Sequence, residues 1–417
     1  MTNRLKKKYL FRVFDELSVG NGVGFEFVLD EQMHNKFSKL VGDYSPIHCD
    51  EEFSGRTIFK DKIVYAFLLS SFLSRVYGMH LPGGTSVCLK QESRFIKPVY
   101  VGQKIRVQSE ITSKSEATKI VEIKSEMFNE KEEKIFEGKG TVQVLFGLKN
   151  LPLYIAKKNK KIFFEDLVFS LKKGGVREGD IIFVHSDVSV FGKIGEVKNR
   201  YDFLKLVSNS LKETVGEAGT VILPTFTYSF TKNEIYSPKS TPSMVGALTE
   251  YFRRQKDTIR TIHPIFSVAI WGKEKKFFNS DLSKDSFGEK SIFGKLKQKN
   301  GKIVFLGAPF QSCTFIHYIE QLFGVPYRYS KTFSGKIETE TGVYHDDYEY
   351  FVRPLGKDVR LGLDKFKEYL LEKGYMKSIK LGDGEILIID SEILSREGIE
   401  RLKEDIHFFL KNIPIGF

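Results

Sequence analysis

Long hydrophobic runs are missing from this sequence of 417 residues. Its longest mostly apolar stretch, residues 63–73, is broken by Ser70 and Ser71 and falls far short of the roughly 20 residues that a spanning helix needs. The basic start, MTNRLKKKYL, runs into FRVFDE and not into an apolar segment. Neither a secretory leader nor membrane insertion is expected, and the expected location is the cytoplasm. Cysteine is scarce as well. Cys49, Cys88 and Cys313 are odd in number, widely spaced and without a Cys-x-x-Cys pair, which excludes a disulfide framework and a cysteine zinc site; no metal is expected. The sequence also lacks zinc-finger spacing and an aromatic RNA-binding signature. This matters because the net charge is +12. The excess is spread: 23 Lys+Arg stand against 19 Asp+Glu in residues 1–150, and 42 against 34 in the rest. A diffuse surplus with interleaved acids suits anionic small molecules better than a nucleic-acid face.

What is present is a globular composition, 41% hydrophobic and 28% charged, long enough for two or three domains. Residues 104–146 alternate Val, Ile and Phe with polar residues between Ser, Asn and Gly turns, which predicts an antiparallel meander. Residues 63–77 form a compact apolar stretch of helix length, expected to be largely buried and wrapped by that sheet. A sheet curled round one helix is the hotdog arrangement, an α+β domain assigned to residues 1–148. Residues 149–162 hold a Pro and a basic cluster without a period and read as a linker. From 163 to 417 the rhythm changes. The short apolar strands DIIFVH, TVILP, FSVAIW and KIVFLG alternate with helix-like stretches at 201–215 and 244–254, as in an α/β domain with a largely buried sheet. The tail beyond 335 carries a helix-like stretch at 363–373 and a strand-like one at 384–390, and no motif with evident chemistry.

The segment VGDYSPIHCDEEF, residues 41–53, sets Asp43 and His48 five apart across Ser45-Pro46. Pro46 disfavours helix at the residue before it, so a turn is expected. A turn can aim a carboxylate and an imidazole at one point. That pair suits addition of water to an activated double bond, one group taking a proton from water while the other helps protonate the α-carbon. The segment resembles the MaoC-like family of (R)-specific enoyl-CoA hydratases, which have the hotdog fold. The likeness runs through Gly42-Asp43-Tyr44-Ser45-Pro46-Ile47-His48, then Leu81-Pro82-Gly83, then Phe95-Ile96-Lys97-Pro98-Val99-Tyr100-Val101-Gly102. It implies that Asp43 and His48 are the catalytic pair and that a CoA thioester is the substrate. Where the family has His-Gly-Met-Leu, this chain has Tyr65-Ala66-Phe67-Leu68. The Ala66 N–H can still meet the thioester oxygen at a helix start, and the Tyr ring and added Cβ can equally reshape the acyl pocket. Ser71 or Ser74 stands where the family has a serine that orients the aspartate.

In the second region, GVREGDIIFVHSDVSVFG, GEAGTVILPTF, SMVGALTEYFRR, RTIHPIFSVAIWG, DSFGEKSIFGKL and FLGAPFQSCTFIHYIE follow one another. This order resembles the aminoglycoside 3-N-acetyltransferase family, which moves an acyl group from CoA to an amine. The likeness implies a three-layer form for the α/β domain, and it implies that His263 is the base that takes the amine's proton. His317 and Glu320 share a helix face and are candidates to bind the amine or to orient His263, or else form a structural pair. Asp285 and Glu289 are weaker candidates. Cys313 is expected to be a buried apolar residue and not a nucleophile. Backbone amides around His185, Ser186, Ser243, Val245 and Gly246 are expected to hold CoA, with the family's His-Ser-Ser replaced by His185-Ser186-Asp187.

Both regions point to an acyl-CoA. The joint expectation is a bifunctional enzyme that hydrates a short enoyl-CoA such as crotonyl-CoA. It then transfers the 3-hydroxybutyryl group to the amine of an amino sugar or nucleotide-linked amino sugar, with self-association as a dimer or higher through the hotdog domain. The alternatives are plain N-acetylation of an aminoglycoside or amino sugar from acetyl-CoA, with the hotdog half a non-catalytic dimerisation or acyl-binding module, and a non-enzymatic binding protein.

Overall fold

A computed structural model describes residues 12–354 and 359–413. The chain divides into two compact units, Met1–Asn150 and Leu151–Phe417.

The first unit holds five strands, β1 (Gly22–Val28), β2 (Ser86–Phe95), β3 (Lys104–Ser115), β4 (Ile120–Phe128) and β5 (Lys134–Val144). They lie antiparallel in the order β1-β3-β4-β5-β2. The alternation read in the sequence decides the faces: Ile105, Val107 and Ile111 on β3 and Val121 and Ile123 on β4 are all fully buried because strand side chains point to opposite sides in turn. Four helices follow β1: α1 (Glu31–Val41), α2 (Pro46–Cys49), α3 (Glu51–Gly55) and α4 (Ala66–Arg75). The Asp30 carboxylate accepts the Met33 N–H to start α1, and Gly42, at φ +74°, ends it. That left-handed position favours glycine and turns the chain toward Asp43. Helix α4 supplies Leu68, Leu69 and Leu73 to the core shared with the sheet. It is less buried than its composition suggests, since Phe67, Ser71, Ser74 and Arg75 face outward; only one stripe of the helix meets the sheet.

The second unit is built on a mixed sheet of seven strands in the order β11-β12-β10-β8-β13-β17-β16. These are β8 (Ile181–Ser186), β10 (Thr220–Pro224), β11 (Ile259–Arg260), β12 (Val268–Gly272), β13 (Lys302–Leu306), β16 (Lys377–Leu381) and β17 (Gly384–Asp390). The three central strands β10, β8 and β13 run parallel, and antiparallel strands flank them. Two helix groups pack separately. One comprises α5 (Phe164–Lys173), α6 (Arg200–Val215) and α7 (Ala247–Arg253); the other comprises α9 (Ile292–Gln298), α10 (Phe315–Phe323) and α12 (Ser391–Glu404). This completes a three-layer α/β unit. Helices α8 (Lys275–Asn279) and α11 (Asp364–Glu372), and a long hairpin of β14 (Tyr329–Thr339) and β15 (Gly342–Val352), complete the order. The tail supplies β16 and β17 and so belongs to the sheet itself.

Two local expectations differ from the structure. Residues 149–162 are not a bare connector. They hold β6 (Tyr154–Ile155) and β7 (Lys161–Ile162), which pair with each other, and β6 pairs on its other side with β9 (Lys193–Ile194). Leu151, Leu153, Tyr154 and Ile162 are buried in the second unit, an apolar set too widely spaced to give a period. The turn expected around His48 becomes one helical turn, α2, because Pro46 sits at its first position, where its missing N–H costs nothing.

Candidate active sites

In the first unit, Asp43 and His48 converge on one side chain, Tyr65, the residue just before α4. The Tyr65 hydroxyl donates to the Asp43 carbonyl oxygen at 2.7 Å. Its ring lies against the His48 ring, with centroids 4.0 Å apart. The Asp43 carboxylate accepts the Ser45 N–H at 3.0 Å and is otherwise exposed. The His48 Nδ1–H donates to the Ile63 carbonyl at 2.8 Å. A carbonyl can only accept, so the proton of the neutral ring is on Nδ1 and the Nε2 lone pair is open to a substrate or water. Ala66 opens α4, and among the described residues no side-chain oxygen caps that helix; helix starts of this kind present backbone N–H groups. Ser71 spends its proton on the Leu68 carbonyl at 2.7 Å. Ser71 and Ser74 line a separate cleft of about 460 Å³ with Arg75 and Met79.

In the second unit, the structure joins His317 and Glu320 directly: Nδ1–H donates to the carboxylate at 2.7 Å. Glu320 is wholly buried, and the Arg328 guanidinium lies 2.7 Å from the same oxygen. Burial pulls the His317 pKa down while Glu320 opposes the shift. The neutral ring carries its proton on Nδ1, toward Glu320, and leaves the Nε2 lone pair unprotonated.

His263 is held the opposite way. Its Nδ1 accepts the Phe266 N–H at 3.0 Å and the Ile265 N–H at 3.3 Å, so the proton of the neutral ring is on Nε2, which faces the Ser286 hydroxyl at 3.5 Å. Burial lowers its pKa to about 3. Tyr348 stacks on its edge at 4.8 Å. A chain of rings runs from His263 to His317: His263 to Phe266, Phe266 to Phe287 at 5.0 Å, and Phe287 to His317 at 5.5 Å. Asp285 accepts the Phe287 N–H and the Gln321 amide and so ties its loop to α10. Glu289 lines a different cavity with Lys290 and Lys295. Cys313 is buried, and its thiol pKa is pushed up to about 12 by desolvation.

The parallel strands β8, β10 and β13 end on a cavity of about 470 Å³ whose walls include His185, Ser186, Asp187, Tyr228, Val245, Gly246 and Thr314. Such crevices at the carboxyl ends of parallel strands are the usual ligand positions of α/β sheets. His185 is buried against Phe305, its pKa lowered to about 3 by desolvation, and its Nε2 has no partner among the described residues. A buried orphan nitrogen at a cavity fits a polar ligand. Gly246 adopts φ +129° with nothing within 4 Å of an added Cβ, so backbone conformation and not space favours glycine there. Ser243 is turned inward instead, its N–H on Glu250 and its hydroxyl on Thr249. Asp187 accepts the Ser189 N–H and hydroxyl, so this departure from His-Ser-Ser serves a local turn.

Sequence reasoning passed over Ser286, Tyr348 and Arg328 in the second unit and His34 and Ser38 in the first. Each reaches its site from another element, and no periodicity or short spacing marks it. Among the described residues, no group of three or more His, Cys, Asp and Glu is placed to hold a metal ion, and no helix is long and apolar enough to cross a membrane.

Residues 2–131 match the model of the MaoC-like domain, and residues 183–403 that of the aminoglycoside 3-N-acetyltransferase family. The (R)-specific enoyl-CoA hydratase of Aeromonas caviae is 34% identical over 94 residues, 22% of this chain and 70% of that one. The SPbeta prophage-derived aminoglycoside N(3')-acetyltransferase-like protein YokD of Bacillus subtilis is 27% identical over 189 residues, 39% of this chain. The match spans 66% of YokD's length. AAC-IIIb, solved as a binary complex with CoASH, shares the fold of the second unit at TM-score 0.51 and 24% identity, covering 60% of this chain and 98% of that chain. The chain thus belongs to the aminoglycoside 3-N-acetyltransferase family through its second unit and carries a MaoC-like hotdog domain as its first.

Proposed function

We propose that the protein hydrates a short enoyl-CoA, such as crotonyl-CoA, and passes the resulting 3-hydroxyacyl group to the amine of an amino sugar or nucleotide-linked amino sugar. The observation that carries this reading is the presence in one chain of two units whose families both handle acyl thioesters. In the first unit, water adds its oxygen to the β-carbon while the α-carbon gains a proton. The open Nε2 of His48 and the exposed Asp43 carboxylate suit those two proton movements. Enolate charge on the thioester oxygen would fall at the uncapped start of α4, at Ala66.

In the second unit, the acceptor amine must lose a proton as its nitrogen attacks the thioester carbonyl, and the CoA thiolate then leaves. His317 suits the base role better than His263, because Glu320 holds the His317 proton on Nδ1 and leaves Nε2 to accept, whereas backbone N–H groups occupy the only unprotonated nitrogen of His263. His263 fits a donor role, through Nε2–H and Ser286. The cavity at His185, Ser186, Val245 and Gly246 is the natural place for the CoA thioester. We assign self-association to the first unit, where the edge strand β2 exposes Val87, Leu89 and Phe95.

Mass spectrometry of products from the full chain, crotonyl-CoA and a panel of amino sugars tests the coupled reading. A product gaining a 3-hydroxybutyryl group is expected. Acylation from acetyl-CoA without any hydration of crotonyl-CoA would favour the plain N-acetyltransferase reading, with the hotdog unit a non-catalytic module.

A further inference from the structure

Tyr65 departs from the hydratase pattern, and its hydroxyl is engaged from several sides. Its hydroxyl has one proton, directed to the Asp43 carbonyl at 2.7 Å. The Ser38 hydroxyl lies 2.7 Å from the Tyr65 oxygen and also reaches the His34 carbonyl at 3.2 Å, with the Cys49 thiol 3.3 Å from the Tyr65 hydroxyl. Ser38 lies one turn after His34 on α1 and is buried. His34, also buried, donates its Nε2–H to the His48 carbonyl at 3.0 Å, and its ring packs on Tyr65 at 4.8 Å. The segment 43–48 is thus gripped at both ends: Asp43 through its carbonyl by Tyr65, and His48 through its carbonyl by His34 and through its ring by Ile63. Neither grip uses the Asp43 carboxylate or the His48 Nε2, the atoms the proposed chemistry needs.

We propose that Tyr65, with His34 and Ser38, is a positioning brace that sets the Asp43–His48 segment for hydration; the kinetic part of this rests on the hydratase reading above. Tyr65 acts through the main chain of Asp43 and the ring of His48, adding a tertiary contact to the segment's own backbone hydrogen bonds. Preorganisation of this kind matters because small displacements of reacting groups are costly in rate.

The test uses the full chain and two readouts. Tyr65→Phe keeps the ring on His48 and removes the hydroxyl. It is expected to lower kcat for crotonyl-CoA hydration about tenfold with KM within about twofold, the size of effect that loss of one buried hydrogen bond predicts. Amide hydrogen exchange over residues 43–49 is expected to speed up by a similar factor, with little change over β3 and β4. Ser38→Ala should give the same signature more weakly. His34→Gln, which can keep an N–H donor, should retain more activity than His34→Leu. Unchanged exchange over 43–49 in Tyr65→Phe overturns the brace, whether or not kcat moves. If the wild-type protein hydrates no enoyl-CoA, the hydratase reading fails, and the exchange measurement still decides the brace.

Discussion

His48 and His317 are both imidazoles with the proton fixed on Nδ1, yet they are fixed by different means. A neutral backbone carbonyl holds His48, and its companion carboxylate, Asp43, stays exposed and accepts the Ser45 N–H of its own turn. A carboxylate holds His317, and that carboxylate is wholly buried and also paired with Arg328. The difference teaches what each acid is for. On the proposed function, the acid of the first unit would be available to exchange protons. That of the second would be a fixed charge steadying an imidazolium once His317 had taken the amine's proton, and its burial would strengthen that interaction.

The sharpest way to break this comparison is to remove the two imidazoles separately. His317→Asn should lower kcat for amine acylation by about 10³-fold and leave crotonyl-CoA hydration unchanged. His48→Gln should do the reverse. Both half-reactions would be assayed on the same preparation, and a variant that abolished both would sink the idea of two independent sites. The companion acids should separate just as clearly. Glu320→Ala strands the buried Arg328 charge, an effect of about 3–5 kcal/mol on stability, read as a lowered unfolding midpoint. Asp43→Asn removes only an exposed carboxylate and should leave that midpoint nearly unchanged while hydration falls.

A third contrast concerns pH. His185 and His263 are buried neutral, with pKa values lowered to about 3 against about 6.5 in the unfolded chain. Between those values the unfolded state binds more protons, so stability rises with pH and is lost as pH falls from about 6.5 toward 3. Thermal melts from pH 7 to pH 4 should show this loss, and His263→Asn should flatten it; an unaltered slope would mean that the ring is not buried as described. The smallest effect is expected at Asp187→Ser, which restores the family's pattern. Because Asp187 serves its own turn, KM for the acyl-CoA should shift by no more than about twofold.

The legible parts of this molecule were those whose information is local. The meander of β3 to β5 declared itself by alternation. The strands ending at Ser186, Pro224 and Leu306 did so by short apolar runs, and the pairing of His317 with Glu320 by a spacing of three on α10. What stayed hidden depends on distant elements. Arg328 reaches Glu320 from the segment before β14, and Ser286 reaches His263 from a loop that Glu349 of β15 holds by its backbone. The hairpin of β14 and β15 itself mixes charged and aromatic residues on both faces, so alternation could not reveal it. Tyr65 was visible as a departure, but its sign was not: a larger ring at that place reads equally as an obstruction until Ser38 and Asp43 are seen around its hydroxyl.

The antiparallel seam between β13 and β17, which pairs Lys302 with Asp390, sets an order of events during synthesis. Every strand of the hotdog sheet has been made by Val144, so that unit can close while most of the second is still unmade. The second unit stays open much longer. Its central strand β13 waits for a neighbour that comes only after some 80 further residues (β17 begins at Gly384), and until then a buried edge faces the surroundings. A ribosome stalled in that interval would carry a finished hydratase-like domain joined to an unfinished, association-prone sheet.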